Sequence, residues 1–566
     1  MGNKGRDANA LSRREFLRGA AIAGTATAGA VALGGCSTEA QESKRDWMPE
    51  VWDAETDILV IGCGGAGVSA GITAKVEALG EVLVLEAAPE EFEGGNTRVS
   101  SQVMFIPDDV EGAITYQRNL NAGHVVDDEL LRAWAENIVQ NLEWLEGLGL
   151  EIKETSAFSP EWPSVEESEH CHCYLVEGAM GNEILWKELR EVATENELEV
   201  RHGTRAKELI YNPETREVLG VRAETPSGEQ CYKARKGVLL ACGGFENDQE
   251  MISSFYQIGY YKTLPLGTPY NRGDGIRMAQ SVGAALWHTN NFSNGGLSVR
   301  WEGSDNPVVT AILIPTKDYI YVGPDATRFA YEETMSLARH GKYPYDGDPT
   351  NLRAPVPMHA IFGSEAFNGD CIVPAQLLSA TWINSYDLYL GEKNQDYLDA
   401  GVIVSADTIE ELAGKIGLDP VRLKTTMDDY NKNAALGSDP EFKRGTEVFS
   451  DFQMSEQTKE VDTGENAGST EGLKPAVAPF ELKPIESPYY AVELYMGTLN
   501  TQGGPKRGAK GEVLNTRGEA IPRLYAAGEM GCIYSYNYNG GGNVSEALSS
   551  GRLAARSIGA LEPWEA

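Results

Sequence analysis

The chain is short of positive charge. Its 566 residues carry 48 lysines and arginines against 84 aspartates and glutamates, a formal net charge of −36. Binding to a phosphate backbone needs a basic face, so the balance argues against nucleic acid as a partner. An acidic excess of this kind is more often a solubility feature of a secreted or surface protein. Cysteine is sparse too: eight residues, at positions 36, 63, 171, 173, 231, 242, 371 and 532, form no regular framework and are too few for a disulfide scaffold in a chain this long. No Cys-x-x-Cys-His occurs, so no haem is attached covalently. His170-Cys171-His172-Cys173 offers soft ligands, but zinc sites separate theirs more widely; the run is read as structural and no metal site is expected. Internal repeats and a clear second G-x-G-x-x-G are also missing.

What is present is a strand, a glycine turn, a helix and a second strand ending in an acid. The apolar run Asp57-Ile58-Leu59-Val60-Ile61 leads into Gly62-Cys63-Gly64-Gly65-Ala66-Gly67, and the next apolar run, Val82 to Leu85, closes on Glu86, 24 residues after Gly62. Gly64 lets the backbone approach a pyrophosphate without a Cβ, and Gly67 lets the helix pack closely on the strand. The helix N-terminus faces the phosphates, while the Glu86 carboxylate is spaced to bind a ribose hydroxyl pair. This unit alone allows either NAD or FAD.

The N-terminus reads as an address. Ser12-Arg13-Arg14-Glu15-Phe16-Leu17-Arg18 looks like a twin-arginine export signal, and the Ala- and Gly-rich stretch from Gly19 to Gly35 is too rich in small residues for a convincing membrane span. Leu33-Gly34-Gly35-Cys36 resembles a bacterial lipobox, with a polar tether after it. The expected location is the cell surface or the periplasmic side of the cytoplasmic membrane. Cys36 would carry the lipid anchor, and plain signal cleavage is the alternative. Twin-arginine export carries folded cargo, which suits a protein that takes up its cofactor in the cytoplasm.

Further along, Gly94-Gly95-Asn96-Thr97, Leu240 to Phe245, Gly273-Asp274-Gly275-Ile276 with Gly283-Ala284, Arg328-Phe329 before Glu332, Leu524 to Glu529 and Gly540-Gly541-Gly542-Asn543 follow in a fixed order. That series, over about residues 55 to 560, resembles flavoproteins of the fumarate reductase and succinate dehydrogenase class, with 3-ketosteroid dehydrogenases as relatives. The resemblance implies FAD. It assigns the cofactor to Gly62, Gly64, Gly65, Ala66, Gly67 and Glu86, to Gly94, Gly95, Asn96 and Thr97, to Ala241, Gly243 and Asp274, and to Gly528, Glu529, Gly542, Asn543 and Val544. The implied fold is α/β: a discontinuous Rossmann-like FAD-binding domain with an inserted α+β capping domain. The expected segments are a signal peptide at 1–36, a tether at 37–51, FAD-binding pieces at 52–290 and 481–566, and a capping, substrate-facing domain at 291–480. Helical spacing marks Asp127 to Leu148, Thr408 to Leu412 and Pro420 to Asn433, and the polar tract Ser450 to Gly472 is expected as a surface loop.

The chain departs from the fumarate reductase pattern where the substrate is held. Asn500 and its neighbours stand where the family histidine precedes Gly503-Gly504, Asn539 stands where an arginine precedes the glycine turn, and Ser336 stands four residues after Glu332. Fumarate is therefore not the expected substrate. Tyr534, Tyr536 and Tyr538 alternate before the glycine turn, and in an extended segment period two would aim all three to one side. They are candidates for donating a hydrogen bond or a proton, with packing beneath the flavin as the alternative. Arg339 and His340 are candidates for holding an oxyanion and protonating it. The expected activity is saturation of an activated C=C bond in a small organic acceptor, an enoate, aryl-acrylate or enone, in anaerobic respiration. Electrons would come from a separate membrane, haem or flavin donor. The alternatives are a 3-ketosteroid dehydrogenase or reductase and a non-catalytic flavin-binding lipoprotein.

Overall fold

Two sheets organise the chain, and the first is assembled from both of its ends. In the computed structural model the strands run Glu512–Leu514, Ala520–Ala526, Gly228–Leu240, Ala54–Ile61, Val82–Leu85 and Glu199–Arg201 in spatial order, with Val218–Thr225 and Arg205–Tyr211 branching from Gly228–Leu240. The four central strands are parallel: Ile58 to Ile61 pair with Val82 to Leu85 on one side and with Gly237 to Leu240 on the other, and Leu524 to Ala526 pair with Val238 to Leu240. A parallel strand is covered on both faces and so reads as a continuous apolar run; Ile58, Leu59 and Val60 are accordingly buried. The helix Gly65–Val76 follows the first strand, and the last helix, Gly542–Gly559, packs against it. Gly551 permits that approach, since a Cβ there would stand 2.2 Å from the Ala66 carbonyl oxygen.

The structure describes residues 47–177, 183–256, 263–302, 307–333, 342–345, 348–351, 356–373, 382, 386, 388–448 and 477–564. Cys36, the paired arginines, Arg339, His340 and the tract 450–472 lie outside the described residues. Among the described residues no helix is long and apolar enough to cross a membrane, and the described cysteines are all free thiols.

The second sheet has the order Pro307–Ala311, Phe292–Glu302, Tyr489–Thr501, Met358–Phe362 and Tyr319–Val322, with Leu264–Pro265 and Ile403–Ala406 also pairing to Tyr489–Thr501. Tyr489–Thr501 runs through the middle of this sheet, and the chain returns to the first sheet at Glu512. Alternation does not distinguish the two sheets, because Tyr489–Thr501 is paired on both edges and largely buried. The expected helices form at Ile409–Ile416, capped by Thr408, and at Pro420–Ala435, capped by Asp419. The stretch 127–148 is two helices, Asp128–Ile138 and Asn141–Gly147. The break lets Asn141 donate to the Ser545 carbonyl and accept from Arg552, tying both to the last helix.

A buried ionic network braces the second part. Arg328 makes bidentate contacts to Glu332 and Asp439, and the fully buried Arg444 makes bidentate contacts to Glu333. Glu332 is thereby held in this network. The run His170 to Cys173 is structural by simple alternation: His170 and His172 bond Asp108 and Glu154 at the surface, and Cys171 and Cys173 point into the core.

Candidate active site

Parallel strands leave their carboxyl ends on one edge of the sheet, and the loops there form the crevice in which such folds bind ligands. A cavity of about 640 Å³ lies at this edge. Gly62, Gly64, Gly65 and Ala66 line it, as do Glu86, Gly95, Asn96 and Thr97, then Ala241, Gly243 and Asp274, and finally Gly528, Glu529, Asn543 and Val544. Three expected residues stand behind the wall. Gly67 backs onto Gly62, Gly94 caps the short helix Gly95–Arg98 with φ +110°, and Gly542 packs against Tyr534 and Tyr538.

The first turns of the helices Gly65–Val76 and Gly542–Gly559 both reach the wall, through Gly65 and Ala66 and through Asn543 and Val544. Their N-terminal N–H groups and positive dipole ends suit an anionic ligand. A Cβ built at Gly64 would find no protein atom nearer than the Gly94 carbonyl oxygen at 3.7 Å, so the space beside it belongs to the cavity. Thr97 Oγ1 accepts from the Gly65 N–H at 3.0 Å and fastens the second glycine loop to the first. The set of an acid after the second strand, two helix N-termini and a glycine cradle fits FAD.

Glu86 is more constrained than its spacing alone indicates. Its carboxylate accepts from the Cys63 N–H at 2.6 Å and the Ala88 N–H at 2.7 Å. Burial pushes this carboxyl up, and the two N–H donors pull it back. Each oxygen keeps lone pairs for a ribose hydroxyl. Glu86→Ala is expected to weaken FAD retention by tenfold or more, since charge-assisted hydrogen bonds are worth about 1.5–3 kcal/mol each. Flavin content after dialysis measures this, and retention equal to the parent would remove Glu86 from the cofactor site.

The three tyrosines do not share one side. The segment they occupy is not a strand, so period two does not apply. Tyr534 and Tyr538 are buried and stack on each other at 4.9 Å, whereas Tyr536 is half-buried and stacks on the exposed His124. Tyr534 donates to the Gly542 carbonyl at 2.9 Å, and burial pushes its phenol well up. Only Tyr538 of the three lines the cavity. Its hydroxyl accepts from Asn543 Nδ2 at 2.8 Å and donates to Ser293 Oγ at 2.8 Å. Asn543 Nδ2 also donates to Asn500 Oδ1 at 3.1 Å. Asn543, assigned to the cofactor by resemblance, thus directs its amide at a phenol.

Asn539 faces away from the cavity. Its Oδ1 accepts from the Tyr116 hydroxyl and the Glu161 N–H, and its Nδ2 donates to the Phe158 carbonyl. It holds Phe158, a cavity residue with φ +59°, in place. Asp274 pairs with Arg205 at 2.5 Å. Ser293, Phe158 and Glu246 escaped the sequence reading. Ser293 carries no local signal and reaches the site because the strand register sets it opposite Asn500. Glu246 directly follows the quoted Gly243-Gly244-Phe245 and could have been found by extending that motif.

A family model described as an FAD binding domain matches residues 57–294 and 324–545. The chain is 29% identical to a 3-oxosteroid 1-dehydrogenase of Mycobacterium tuberculosis across 59% of its own length and 55% of the relative's, so it spans little more than half of that protein. It is 24% identical to the digoxin reductase of Eggerthella lenta over 98% of both chains. Among solved structures, the open conformation of a flavocytochrome c3 fumarate reductase superposes with a TM-score of 0.61 at 24% identity, covering 90% of this chain and 78% of the other.

Proposed function

Because the chain belongs to the FAD binding domain family and its cofactor is FAD, we propose that it is an FAD-dependent reductase that saturates an activated C=C bond in a small organic acceptor. The observation that carries the reading is Tyr538, a phenol on the cavity wall held by Asn543 and Ser293. Bound FAD supplies hydride chemistry. The product gains one hydride and one proton, so the protein must hold the acceptor's carbonyl oxygen as negative charge builds there and must deliver a proton. Tyr538 does the first by turning its proton from Ser293 Oγ to that oxygen. When its proton departs, Asn543 Nδ2 already points at the phenolic oxygen, and the Ser293 hydroxyl can rotate to donate as well. The buried surroundings strengthen these hydrogen bonds relative to water.

Arg339 and His340 remain proposed partners for a carboxylate or the α-carbon proton. Anaerobic assay with reduced viologen against enoates, aryl-acrylates, enones and ketosteroids tests the function. Turnover of none of them, with FAD bound, would leave the non-catalytic reading. A second reading, oxidation or reduction of a 3-ketosteroid, draws on the same phenol and on the likeness to a steroid dehydrogenase; turnover confined to the ketosteroids would select it.

The proposal includes export by the twin-arginine route, a lipid anchor at Cys36, a separate electron donor and a respiratory role. It is supported by Arg13-Arg14 and by Leu33 to Cys36. Replacing both arginines by lysine is expected to hold the flavin-loaded protein in the cytoplasm, and unchanged export in cell fractions would reject the route.

A further inference from the structure

Two acidic side chains meet on the wall of the FAD cavity. Glu246 follows the strand Gly228–Leu240 and Glu529 follows Ala520–Ala526. The parallel pairing of those strands, with Ala526 opposite Leu240, brings both turns to the same end of the sheet. Glu246 is 0% exposed, whereas Glu529 opens on the cavity. Both crowd the site of Gly244, where a Cβ would stand 2.1 Å from Glu529 Oε1 and 2.7 Å from Glu246 Oε2.

The donors around the pair are neutral. Asn96 Nδ2 straddles it, at 2.8 Å from Glu246 Oε1 and 3.0 Å from Glu529 Oε2. Asn271 Nδ2 donates to Glu246 Oε1 at 2.8 Å, and the Thr501 N–H donates to Glu529 Oε1 at 3.1 Å. Glu246 Oε2 is buried with no donor. The other titratable groups facing the pair are the buried Tyr256 phenol and, on the Glu529 side, the Cys532 thiol. Among the described residues, no lysine, arginine or histidine forms an ion pair with either glutamate. Two adjacent carboxyls without a cation cannot both ionise in a low-dielectric site. One proton between them supplies the donor that Glu246 Oε2 lacks.

We propose that Glu246 and Glu529 share one proton and form a proton-binding site in the wall of the FAD cavity, so that FAD binding is linked to proton uptake. Glu246 is a positioning residue in this arrangement. It fixes Asn96 and, through the shared proton, keeps one negative charge off the cavity wall, where two full negative charges would oppose a pyrophosphate. Burial pushes both carboxyls up, and the Glu246 charge adds to the rise at Glu529. Bound FAD excludes water and brings further negative charge, so the pair holds its shared proton more tightly in the bound state. The sign follows: affinity is fully present below the pair's transition in the empty protein and is lost as pH rises through the transition in the bound protein.

The test is calorimetric titration of FAD into protein freed of flavin, between pH 7 and 9, in two buffers of different ionisation enthalpy. The parent is expected to take up protons on binding, with Kd rising by up to about tenfold per pH unit within the window between the two transitions. Glu246→Gln still accepts from Asn96 and Asn271 and donates permanently to Glu529, so its uptake should fall and its Kd flatten with pH. FAD's own groups contribute equally to both proteins. No proton uptake by the parent, or equal uptake and slope in the variant, would overturn the proposal. If Glu246→Gln fails to fold, Glu529→Gln and the parent's own proton count decide.

Discussion

Tyr538→Phe is expected to lower kcat by about 10²–10³-fold, the range for loss of one oxyanion donor, with flavin content intact. Phenylalanine keeps the ring that stacks on Tyr534 and removes only the hydroxyl. Asn543 retains Asn500 as a partner, so the cavity wall keeps its shape. Two companion substitutions sharpen the result. Tyr534→Phe deletes a hydrogen bond to the Gly542 carbonyl away from the cavity and should cost only about 0.5–1.5 kcal/mol of stability. Tyr536→Phe alters a ring stacked on His124, outside the cavity, and should leave the rate near parental. Steady-state kinetics on the acceptor found by the panel, with the flavin spectrum as control, measure all three. Near-parental kcat in Tyr538→Phe would move the donor to the carbonyl oxygen elsewhere, with the Arg339-His340 segment the first place to look.

The cofactor half of the site was legible because it is local. Gly62 to Gly67 and Glu86 are fixed by one strand, one turn and one helix, and the glycine loops at 94, 243, 273, 528 and 541 each announce a turn by composition alone. The acceptor half was only partly legible, because three distant segments make it. Tyr538 came from a pattern whose geometric premise, an extended strand, does not hold. Its partners depend on long-range pairing: Ser293 and Asn500 sit opposite each other on two antiparallel strands about 200 residues apart in the chain. Glu246 and Glu529 show the same limit. Each follows a visible motif, but their contact arises from the register of strands nearly 300 residues apart in the chain, which no local pattern encodes.

Gly64→Val is expected to abolish useful FAD binding while leaving the protein folded, and its neighbours explain why the two effects separate. A Cβ at Gly67 would stand 1.9 Å from the Gly62 carbonyl oxygen, and one at Gly62, where φ is +104°, would stand 2.4 Å from the Ala241 carbonyl oxygen. Both substitutions strike backbone and should damage the turn itself. Gly64 has an ordinary φ of −87°, so a side chain brings no left-handed strain, and its Cβ has only a 3.7 Å contact with protein. The valine methyl groups therefore extend into the cavity beside the helix N-terminus, where the pyrophosphate must come close to the backbone. Displacing it forfeits charge-assisted hydrogen bonds worth about 1.5–3 kcal/mol each, and losing two of them weakens binding on the order of 10³-fold. Flavin titration gives the affinity, and thermal unfolding of the flavin-free proteins gives the fold. Parental affinity in a folded Gly64→Val protein would mean that the phosphates do not lie on this turn, whereas a melting point lowered as far as that of Gly67→Ala would mean that Gly64 serves the fold and not the cofactor.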